Sequence, residues 1–447
     1  MSLGKKDGND IITTKWIVKS KDKRKKVIKF CKRNGLKVCS CKGEHIKVIG
    51  KTKTFNKVLK TEIHNFKHEN KIHHNITSKI KMPKYVENIF GLDTKSKFTP
   101  YFYVKEKTEG DSTFTPIELA ALYNFPNATG LGQRIGVIEL GGGYRPMDIQ
   151  KYFDMLKIKT PPKITDVSVG GTKNDPTDQS GANVEVILDI EIIAAIVPQA
   201  DIRVYFTENS DLGFFNSIDQ AINDNCSIIS ISWGGPEASW DASFLNSYNK
   251  LFQKAANKNI TILVAAGDNG SSDSLPGLNV DFPGSSPYAL SCGGTNVQAA
   301  NNVIVNETVW NVDPTQSATG GGISKVFSMP DYQNGLKIPS NNKRMVPDIA
   351  GNADPNTGYI VYGEGSTMVV GGTSAVSPLW SGLLARINQI NKKNVGFIQP
   401  LIYKSQGSAC RDIIVGNNGA YSASPGYDLC TGYGSPDGQK LLALFKV

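Results

Sequence analysis

The chain has 447 residues, of which 39% are hydrophobic and 9% aromatic, enough to bury a large core and to form two or three domains. No stretch approaches the roughly 18 consecutive apolar residues that a membrane span requires. The start, MSLGKKDGND, lacks the apolar core of a signal peptide. We therefore expect neither a membrane partner nor an export signal in this sequence, which leaves the compartment open.

Charge is divided unevenly along the chain. Residues 1–110 contain 28 Lys and Arg against 10 Asp and Glu, a net charge of +18, whereas residues 111–447 contain 22 against 30, a net charge of −8. A basic segment before an acidic remainder indicates either a nucleic-acid-binding arm or an intramolecular partner of complementary charge. Because no zinc-finger spacing or RNA-binding aromatic signature accompanies the basic run, no nucleic-acid partner is expected.

The first 95 residues predict a small α+β domain. An extended run TTKWIVKS is followed by a basic helix over 21–32, strands near LKVCSC and HIKVIG, and a helix over about 55–66. Residues 96–114 are polar and charged with scattered aromatic residues, which predicts an exposed linker that is easily cut.

From Thr115 onward, apolar strand runs alternate with helices. Continuous β-branched runs joined by helices are typical of a parallel sheet covered on both faces, an open α/β fold, whose chemistry gathers at the carboxyl ends of the strands. The predicted strands are 134–140, 200–206, 226–232, 260–267 and 287–295, and the predicted helices between them are 146–156, 183–197, 212–223 and 238–257.

The helix predicted over 183–197, NVEVILDIEIIAAIV, carries two carboxylates on one face. Glu185 and Asp189 are four residues apart, about 40° around a helix, among apolar neighbours on nearly every side. A solvated acidic face is the ordinary interpretation of such a pair, but like charges at this spacing repel, and more strongly when they are buried. We expect Glu191, on a different side of the helix, to face water.

Two further segments carry candidate catalytic groups. Asp268 lies in AAGDNG, directly after a predicted strand, where it is either a turn former or, if protonated, a hydrogen-bond donor to an oxyanion. Ser374 lies in GGTSAVSP, before a helix predicted to reach about Ile390, where a serine is commonly a helix cap.

A serine nucleophile needs a base, and the usual base is imidazole. All five histidines lie between His45 and His74, so none occurs in the 373 residues that follow. The base for Ser374 is therefore expected to be a carboxylate held in apolar surroundings.

Together these segments resemble the sedolisins, serine-carboxyl peptidases with a subtilisin-like fold. The resemblance covers most of residues 115–447 and implies a doubly wound parallel sheet. It is carried by Glu185 to Asp189, AAGDNG with Asp268 and GGTSAVSP with Ser374, and by the flanking segments SWGGPE, VDFPGSSP, GGTNV, GGGIS, VPDIAGNADP and TPIELAALYNFP.

The resemblance implies that Ser374 is the nucleophile and Glu185 the general base and acid. It further implies that Asp189 orients Glu185 and shares its charge, and that Asp268 stabilises the oxyanion. Since both carboxylate roles require protons to be retained, the resemblance implies activity at acidic pH.

Three further residues match family positions near the substrate. Glu139 and Trp233 correspond to residues that extend the hydrogen-bond network and wall the substrate cleft. Asp281 corresponds to an acidic residue of the substrate subsites, which would favour basic side chains.

The resemblance also implies one bound Ca²⁺ in the C-terminal region. Two carboxylates and irregular backbone carbonyls are the hard oxygen ligands that calcium prefers, although aspartates in a glycine-rich loop are ordinarily turn formers. The family commonly has glycine where this chain has Ser424, a change that a backbone carbonyl ligand tolerates. The implied ligands are Asp412, Ile413, Ser424, Gly426 and Asp428.

Residues 1–95 correspond to the family's propeptide, which has a ferredoxin-like fold, docks on the peptidase domain and blocks its cleft. The resemblance thus implies a zymogen whose peptidase domain spans 115–447, with an activation cut near residues 105–115. A monomeric acid-acting endopeptidase on protein or peptide substrates is the leading hypothesis. A tripeptidyl aminopeptidase of the same family and an inactive protease-like scaffold are the alternatives, and family members are usually secreted or lysosomal.

The seven cysteines are odd in number and include no CxxC pair, which argues against a zinc site and against a dense disulfide framework. Cys226 and Cys292 lie in apolar runs and are expected to be buried free thiols. Cys410 and Cys430 flank one loop and could pair, a question that the sequence leaves open.

Overall fold

The computed structural model describes residues 1–68, 71–105 and 112–446. The chain divides into two compact units. The first contains Met1–Lys97 together with Glu208–Asn216 and Asp241–Tyr248, and the second begins at Phe98 and holds the remaining described residues. A search of the described helices finds none that is both long and apolar enough to cross a membrane.

The N-terminal residues form two antiparallel sheets and two helices. A four-stranded sheet has the order β3-β4-β2-β7, and its chain order of strand, helix, two strands, helix and strand is that of a ferredoxin-like fold, as predicted. The elements are β1 (Ser2–Lys5), β2 (Ile11–Val18), α1 (Arg24–Arg33), β3 (Lys37–Lys42), β4 (His45–Lys51), α2 (Thr52–Leu59), β5 (Ile63–His68), β6 (Lys71–Ile76) and β7 (Val86–Phe90).

The core of this unit is built by the inward-facing side chains of β2 and by one face of each helix. Trp16 and Val18 on β2 are buried against Val27 of α1 and Phe55 of α2. The basic residues of α1 lie on its other faces, so the high positive charge of this segment stays accessible to solvent.

The helix predicted over about 55–66 is wrong in its second half. The helix ends at Leu59, and Lys60 takes a left-handed conformation with φ of 54°. Ile63–His68 then forms β5, which pairs with β1 and β6 in the second, three-stranded sheet. The apolar residues on both sides of Lys60 are spaced as in a helix, which led to the prediction. The left-handed conformation of Lys60 ends the helix.

Beyond Lys97 the described residues form short strands, a large central sheet and eight α-helices. The helices are α3 (Pro116–Leu122), α4 (Pro146–Met155), α5 (Ala182–Ile196), α6 (Asp211–Asn223), α7 (Ala242–Ala256), α8 (Val376–Asn391), α9 (Gln399–Lys404) and α10 (Gly438–Leu444). The strands are β8 (Thr99–Pro100), β9 (Tyr103–Lys105), β10 (Arg134–Glu139), β11 (Lys163–Ser168), β12 (Asp201–Phe206), β13 (Ile228–Ile231), β14 (Trp233–Pro236), β15 (Thr261–Ala265), β16 (Asp281–Phe282), β17 (Leu290–Ala300), β18 (Val303–Val309), β19 (Asn311–Asp313), β20 (Ser317–Ala318), β21 (Gly322–Ser328), β22 (Lys343–Val346), β23 (Ile349–Asn352), β24 (Tyr359–Gly363), β25 (Ser366–Gly371), β26 (Cys410–Arg411) and β27 (Ser435–Pro436).

The central sheet of the second unit has the order β11-β12-β10-β13-β15-β17-β18, with β23 beside β17. All of its pairings are parallel except that of β17 with β18. The doubly wound α/β prediction is therefore confirmed, and each predicted strand lies within a few residues of an observed one. Neighbouring parallel strands bring Glu139 at the end of β10, Trp233 beyond β13 and Asp268 beyond β15 to one edge of the sheet.

The segment predicted as an exposed linker, 96–114, is partly buried. Phe98 and Tyr101 have only 2% and 3% of their surface exposed. The short strands β8 and β9 pair with β14 and β25, and this pairing covers both aromatic side chains. Residues 106–111, which fall within the predicted cleavage region, lie outside the described residues.

Candidate active site

The helix α5 is buried around its whole circumference, and its acidic residues are buried with it. Glu185, Asp189 and Glu191 are each 0% exposed, so the solvated acidic face does not exist. The expectation that Glu191 faces water is wrong, because one of its carboxylate oxygens accepts a hydrogen bond from the Tyr362 amide at 2.8 Å. The helix packs against α8, α3, α4, β10 and β24, and this packing removes its carboxylates from water.

Ser374 lies at the junction between β25 and α8, within a short 3₁₀ turn that spans Thr373–Ala375. Its hydroxyl donates a hydrogen bond to Glu185 Oε2 at 2.9 Å. Asp189 accepts a hydrogen bond, 2.8 Å long, from the Ser232 hydroxyl. Ser374 is thus hydrogen-bonded to Glu185, and the charge of Asp189 lies close enough to raise the pKa of Glu185.

Burial raises the pKa of both carboxyl groups near Ser374, those of Glu185 and Asp189. The pKa of Glu185 is raised by loss of hydration and then by the nearby charges of Asp189 and Glu139. The pKa of Asp189 is raised by burial, against the hydrogen bond from Ser232, which lowers it. Glutamate and aspartate so close together in an apolar site hold protons between them at pH values where ordinary carboxyls are ionised.

Glu139 and Trp233 form a hydrogen-bonded pair of their own. The Trp233 indole Nε1 donates to Glu139 Oε2 at 3.0 Å. Burial raises the pKa of Glu139, and the charge of Asp189 raises it further. Among the described residues no hydrogen bond joins Glu139 to Glu185, so Glu139 raises the pKa of Glu185 through its charge.

Asp268 faces the other side of the serine turn. Its Oδ1 accepts hydrogen bonds from the Thr373 amide at 2.8 Å and from the Thr373 hydroxyl at 2.7 Å. Its Oδ2 is buried and has no hydrogen-bond partner among the described residues. Because burial raises the pKa of Asp268 to about 7, this oxygen can carry a proton in mild acid and donate it.

Gly372 lets the carbonyl of Tyr101 approach the serine turn near this oxygen. Gly372 has φ of 121°, and a Cβ there would lie 2.7 Å from Asp268 Oδ2 and in collision with the carbonyl oxygen of Tyr101. Only glycine permits this close approach. The unpartnered carboxyl oxygen and the Tyr101 carbonyl oxygen are thus held on the same side of the serine turn.

Asp281 is buried at the start of β16 and accepts a short hydrogen bond from the Tyr101 hydroxyl. Burial raises its pKa, and the neighbouring charge of Asp273 raises it further. A carboxyl group that is largely protonated in acid is suited to hydrogen-bond a phenol. Asp273, which the sequence did not single out, is itself buried, and its pKa is raised to about 7.

The segment Phe98–Lys105 crosses directly in front of Ser374. The Tyr101 amide donates to Ser374 Oγ at 3.0 Å, and the Ser374 amide donates to the Tyr101 carbonyl at 3.1 Å. No sequence signal singled out this contact, because residues 98–105 read as a polar linker and their partner is nearly three hundred residues away. Ser232, which holds Asp189, was likewise missed as one serine in an apolar strand run.

The five residues of the expected calcium site lie in one C-terminal loop region. Asp412 Oδ2 accepts a hydrogen bond from the Gly426 amide at 2.8 Å, and Asp428 Oδ2 accepts one from the Ser424 amide at 3.2 Å. Both carboxylates are therefore directed at the same short segment. Burial raises the pKa of Asp428 to about 6, against hydrogen bonds from the Thr431, Cys430 and Ser424 amides, which lower it. Oxygen donors of this kind fit a hard divalent cation.

All seven cysteines lie in described residues and carry free thiols. Cys226 and Cys292 are buried, as predicted. Cys410 and Cys430 are buried and are not joined, and the Cys430 thiol donates to the Tyr421 carbonyl at 3.2 Å instead.

Comparisons with known proteins agree with this geometry. Residues 169–434 match the subtilase family, and residues 14–94 match the activation domain of pro-kumamolisin. The chain is 42% identical over 426 residues to kumamolisin of Bacillus sp. strain MN-32, an alignment that covers 88% of this chain and 77% of kumamolisin. The chain belongs to the sedolisin family.

Two other relatives place this sedolisin within the family. Tripeptidyl-peptidase sed5 of Aspergillus fumigatus is 28% identical, covering 80% of this chain and 70% of that protein. Pseudomonas sedolisin, solved with two molecules of pseudo-iodotyrostatin, superposes with a TM-score of 0.68 at 28% identity, covering 75% of this chain and 98% of that one. This sedolisin is therefore a serine-type peptidase with a subtilisin-like fold and an N-terminal activation domain.

Proposed function

We propose that this sedolisin is an acid-acting endopeptidase that uses Ser374 as nucleophile, Glu185 as general base and acid, and Asp268 as the oxyanion donor. The observation that supports it most directly is the 2.9 Å hydrogen bond from the Ser374 hydroxyl to Glu185, whose pKa the nearby charge of Asp189 raises. This arrangement supplies a base in a part of the chain, beyond His74, that contains no histidine. A scaffold protein would have no use for two buried, mutually repelling carboxyl groups.

In the proposed reaction, Glu185 accepts the Ser374 proton while Oγ forms a bond to the peptide carbonyl carbon. The developing oxyanion receives hydrogen bonds from the Ser374 amide and from protonated Asp268. Glu185 then returns the proton to the leaving nitrogen, and the carbon–nitrogen bond breaks. Water afterwards hydrolyses the ester by the same route in reverse. Asp189, held by Ser232, keeps Glu185 oriented and shares its charge.

The expected activity at acidic pH follows from the protonation state that each carboxyl group needs for catalysis. Asp268 donates only when protonated, and its pKa of about 7 means that this donor is present in acid and lost as the pH rises through 7. Glu185 must be able to accept a proton while Asp189 retains one. Because burial raises the pKa of both groups, this shared proton is kept at pH values where ordinary carboxyl groups have lost theirs. We therefore expect activity to fall on the alkaline side near neutrality.

An endopeptidase is favoured over a tripeptidyl aminopeptidase by the length of chain that reaches Ser374. Four residues, Phe98 to Tyr101, precede the carbonyl held by the Ser374 amide, and the chain continues beyond Phe98. A tripeptidyl enzyme binds the free amino group of the substrate's first residue, which is the third residue before the scissile bond. Its cleft must therefore be closed beyond that residue. The comparison of one peptide with a free and with an acetylated amino terminus tests this: equal cleavage supports the endopeptidase, and cleavage of the free form alone contradicts it.

The acid mechanism is tested by incubating the purified chain and its Ser374→Ala variant with a peptide substrate at about pH 4 and about pH 7, which bracket carboxyl and imidazole titration. We expect cleavage by the wild-type protein at the lower pH and none by the variant. Cleavage that peaks in alkali, or that survives in the variant, would contradict the proposed chemistry. Absence of cleavage under all conditions, including after removal of the first 114 residues, would favour an inactive scaffold.

We also propose that one Ca²⁺ is bound by the carboxylates of Asp412 and Asp428 and by the backbone carbonyls of Ile413, Ser424 and Gly426. The support is the convergence of two carboxylates on the 424–426 segment and the desolvation of Asp428. We expect a chelator to lower the melting temperature of Ser374→Ala and added Ca²⁺ to restore it. Asp412→Asn should remove this response, and a Tm unchanged by chelator would contradict the site.

A further inference from the structure

The chain presents one of its own peptide bonds to Ser374 in the register of a substrate. On one side, β8 pairs antiparallel with β14, so that Pro100 lies opposite Trp233 and Thr99 opposite Gly234. On the other side, β9 pairs antiparallel with β25, so that Tyr103 lies opposite Gly371. Two strand pairings on opposite sides of the serine leave little freedom for the residues between them, Tyr101 and Phe102.

The carbonyl of Tyr101 is held where an oxyanion would be stabilised. The Ser374 amide donates to it at 3.1 Å, and Tyr101 O and Asp268 Oδ2 both border the position of a Gly372 Cβ. The same Cβ position lies 2.8 Å from Phe102 Cα, so the residue after this carbonyl passes the same glycine. Among the described peptide bonds, Tyr101–Phe102 is thus the one whose carbonyl meets the serine amide and faces the orphan carboxyl oxygen.

Two buried aromatic side chains fix this register. The Tyr101 hydroxyl reaches the carboxyl group of Asp281, and Gly234 leaves the space in which that carboxyl group lies. Three residues earlier, the Phe98 ring stacks on the Trp240 indole with a centroid distance of 4.7 Å and an interplanar angle of 27°. Trp240 in turn packs against Phe282 at 6.2 Å. A shift by one residue would remove both side chains from these sites.

We propose that Tyr101–Phe102 is the first bond that this peptidase cuts, within its own chain, and that an aromatic residue three positions before the tyrosine directs the cut. This inference rests on the proposed function. It moves the first cut from the predicted region near residues 105–115 to a bond inside the cleft.

The step balances without any further reactant except water. Ser374 Oγ forms an ester bond with the Tyr101 carbonyl carbon, and its proton passes to Glu185. The bond from that carbon to the Phe102 nitrogen breaks, and Glu185 gives the proton to this nitrogen. Water then cleaves the ester, which leaves a carboxylate on Tyr101, a free amino group on Phe102 and the original serine hydroxyl.

The test follows the intact mass of the full-length chain from the moment it is transferred to about pH 4, where carboxyl groups begin to protonate. We expect the first fragments of the wild-type protein to be 1–101 and 102–447, at a rate that does not depend on protein concentration, and no fragments from Ser374→Ala. A first cut at any other bond would overturn the proposal. A rate that rises with protein concentration would overturn the claim that the cut is within one chain.

Two variants at the bond itself separate recognition from folding. Phe102→Pro replaces the leaving nitrogen with a ring nitrogen that peptidases release poorly, whereas Phe102→Leu keeps an ordinary amide and a bulky side chain. We expect Phe102→Pro to lose the 1–101 fragment and Phe102→Leu to keep it. Equal melting temperatures of the two variants on a Ser374→Ala background would show that the difference between them does not come from folding. Formation of the 1–101 fragment by Phe102→Pro would overturn the assignment.

The aromatic site is tested with Phe98→Ala against Val104→Ala. Val104 belongs to the same segment, but half of its side chain is exposed. Removing a side chain from an apolar pocket costs roughly tenfold or more in rate, so we expect Phe98→Ala to slow the first cut by about that factor and Val104→Ala to leave it unchanged. Equal rates for the two variants would remove Phe98 from the proposal.

Failure of this inference and failure of the proposed function give different results. If an added peptide is cleaved in acid while the first cut in the chain falls elsewhere, the function stands and the assignment of the bond fails. If neither the chain nor an added peptide is cleaved by any form of the protein, the proposed function itself fails.

Discussion

Glu185 and Glu191 lie on the same buried helix, yet their partners give them different capacities. Glu185 accepts from the Ser374 hydroxyl and has Asp189 beside it, whereas Glu191 accepts from the backbone amide of Tyr362. Burial raises the pKa of both side chains, so burial alone does not identify a base. What distinguishes Glu185 is a proton donor that can become a nucleophile.

This difference gives a matched pair of variants. Glu185→Gln removes the group that accepts the Ser374 proton, so we expect kcat/KM on a peptide at acidic pH to fall about 10²–10⁴-fold. Glu191→Gln makes the same chemical change six residues along α5, out of contact with Ser374, and should keep activity within a few-fold of wild type. Comparable losses in both variants, at equal melting temperature, would contradict the assignment of the base.

Asp268 predicts a change in the shape of the pH profile. An asparagine at this position keeps a donor that does not titrate, whereas Asp268 loses its donor proton as the pH rises through about 7. We therefore expect the ratio of Asp268→Asn to wild-type kcat/KM to increase from pH 5 toward neutrality. Asp268→Ala, which retains no donor, should lose about 10²–10³ in kcat at every pH. A ratio for the asparagine variant that stays constant with pH would argue against Asp268 as the titrating donor.

At the scale of single elements, the parallel strands and the helices between them were predictable because each is a long apolar run with one period. The strand pairings of β8 and β9 were not predictable. They consist of two or three residues each, carry no period of their own, and depend on partners more than a hundred residues away in the chain. Ser374, Glu185, Asp189 and Asp268 could be found from the sequence through the missing histidine and the family motifs, whereas Tyr101 and Asp273 could not.

The turn between β25 and α8 allows a test of why the structure needs glycine at position 372. Gly372 has φ of 121° and no space for a Cβ, whereas Gly365, in the turn between β24 and β25, has φ of 85° and open space around it. Gly365→Ala should cost about 1 kcal/mol of unfolding free energy from its left-handed backbone and leave activity intact. Gly372→Ala adds steric displacement of Asp268 and of the bound carbonyl, so we expect activity to fall about a hundredfold or more.

The control in this pair is that both positions have a positive φ, which strains any Cβ, whereas only Gly372 also lacks the space for one. Peptide cleavage at acidic pH measures the activity, and thermal unfolding of the same variants on a Ser374→Ala background measures the stability. If both glycine variants lose activity in proportion to stability, the close approach at Gly372 has no specific role in the cleft.

At the scale of the whole molecule, the peptidase core concentrates carboxyl groups that prefer to be protonated. Burial raises the pKa values of Glu139, Glu185, Asp189, Asp268 and Asp281. Carboxyl groups whose pKa is lowered, such as Asp22 and Glu62, are exposed and are screened by solvent. The buried set should therefore dominate the dependence of folding on pH.

The sign of that dependence is opposite to that of ordinary acid denaturation. A carboxyl group whose folded pKa lies above its unfolded value of about 4 binds its proton more tightly in the folded state, so it stabilises the fold most below pH 4. That contribution is lost as the pH rises from about 4 through the folded pKa, which for Asp268 is about 7. We expect the melting temperature of Ser374→Ala, in which self-digestion is prevented, to fall between about pH 4 and about pH 7. Asp268→Asn on the same background should show a shallower fall, because asparagine has no proton to lose, and an identical slope in the two proteins would mean that Asp268 is not the buried acid described here.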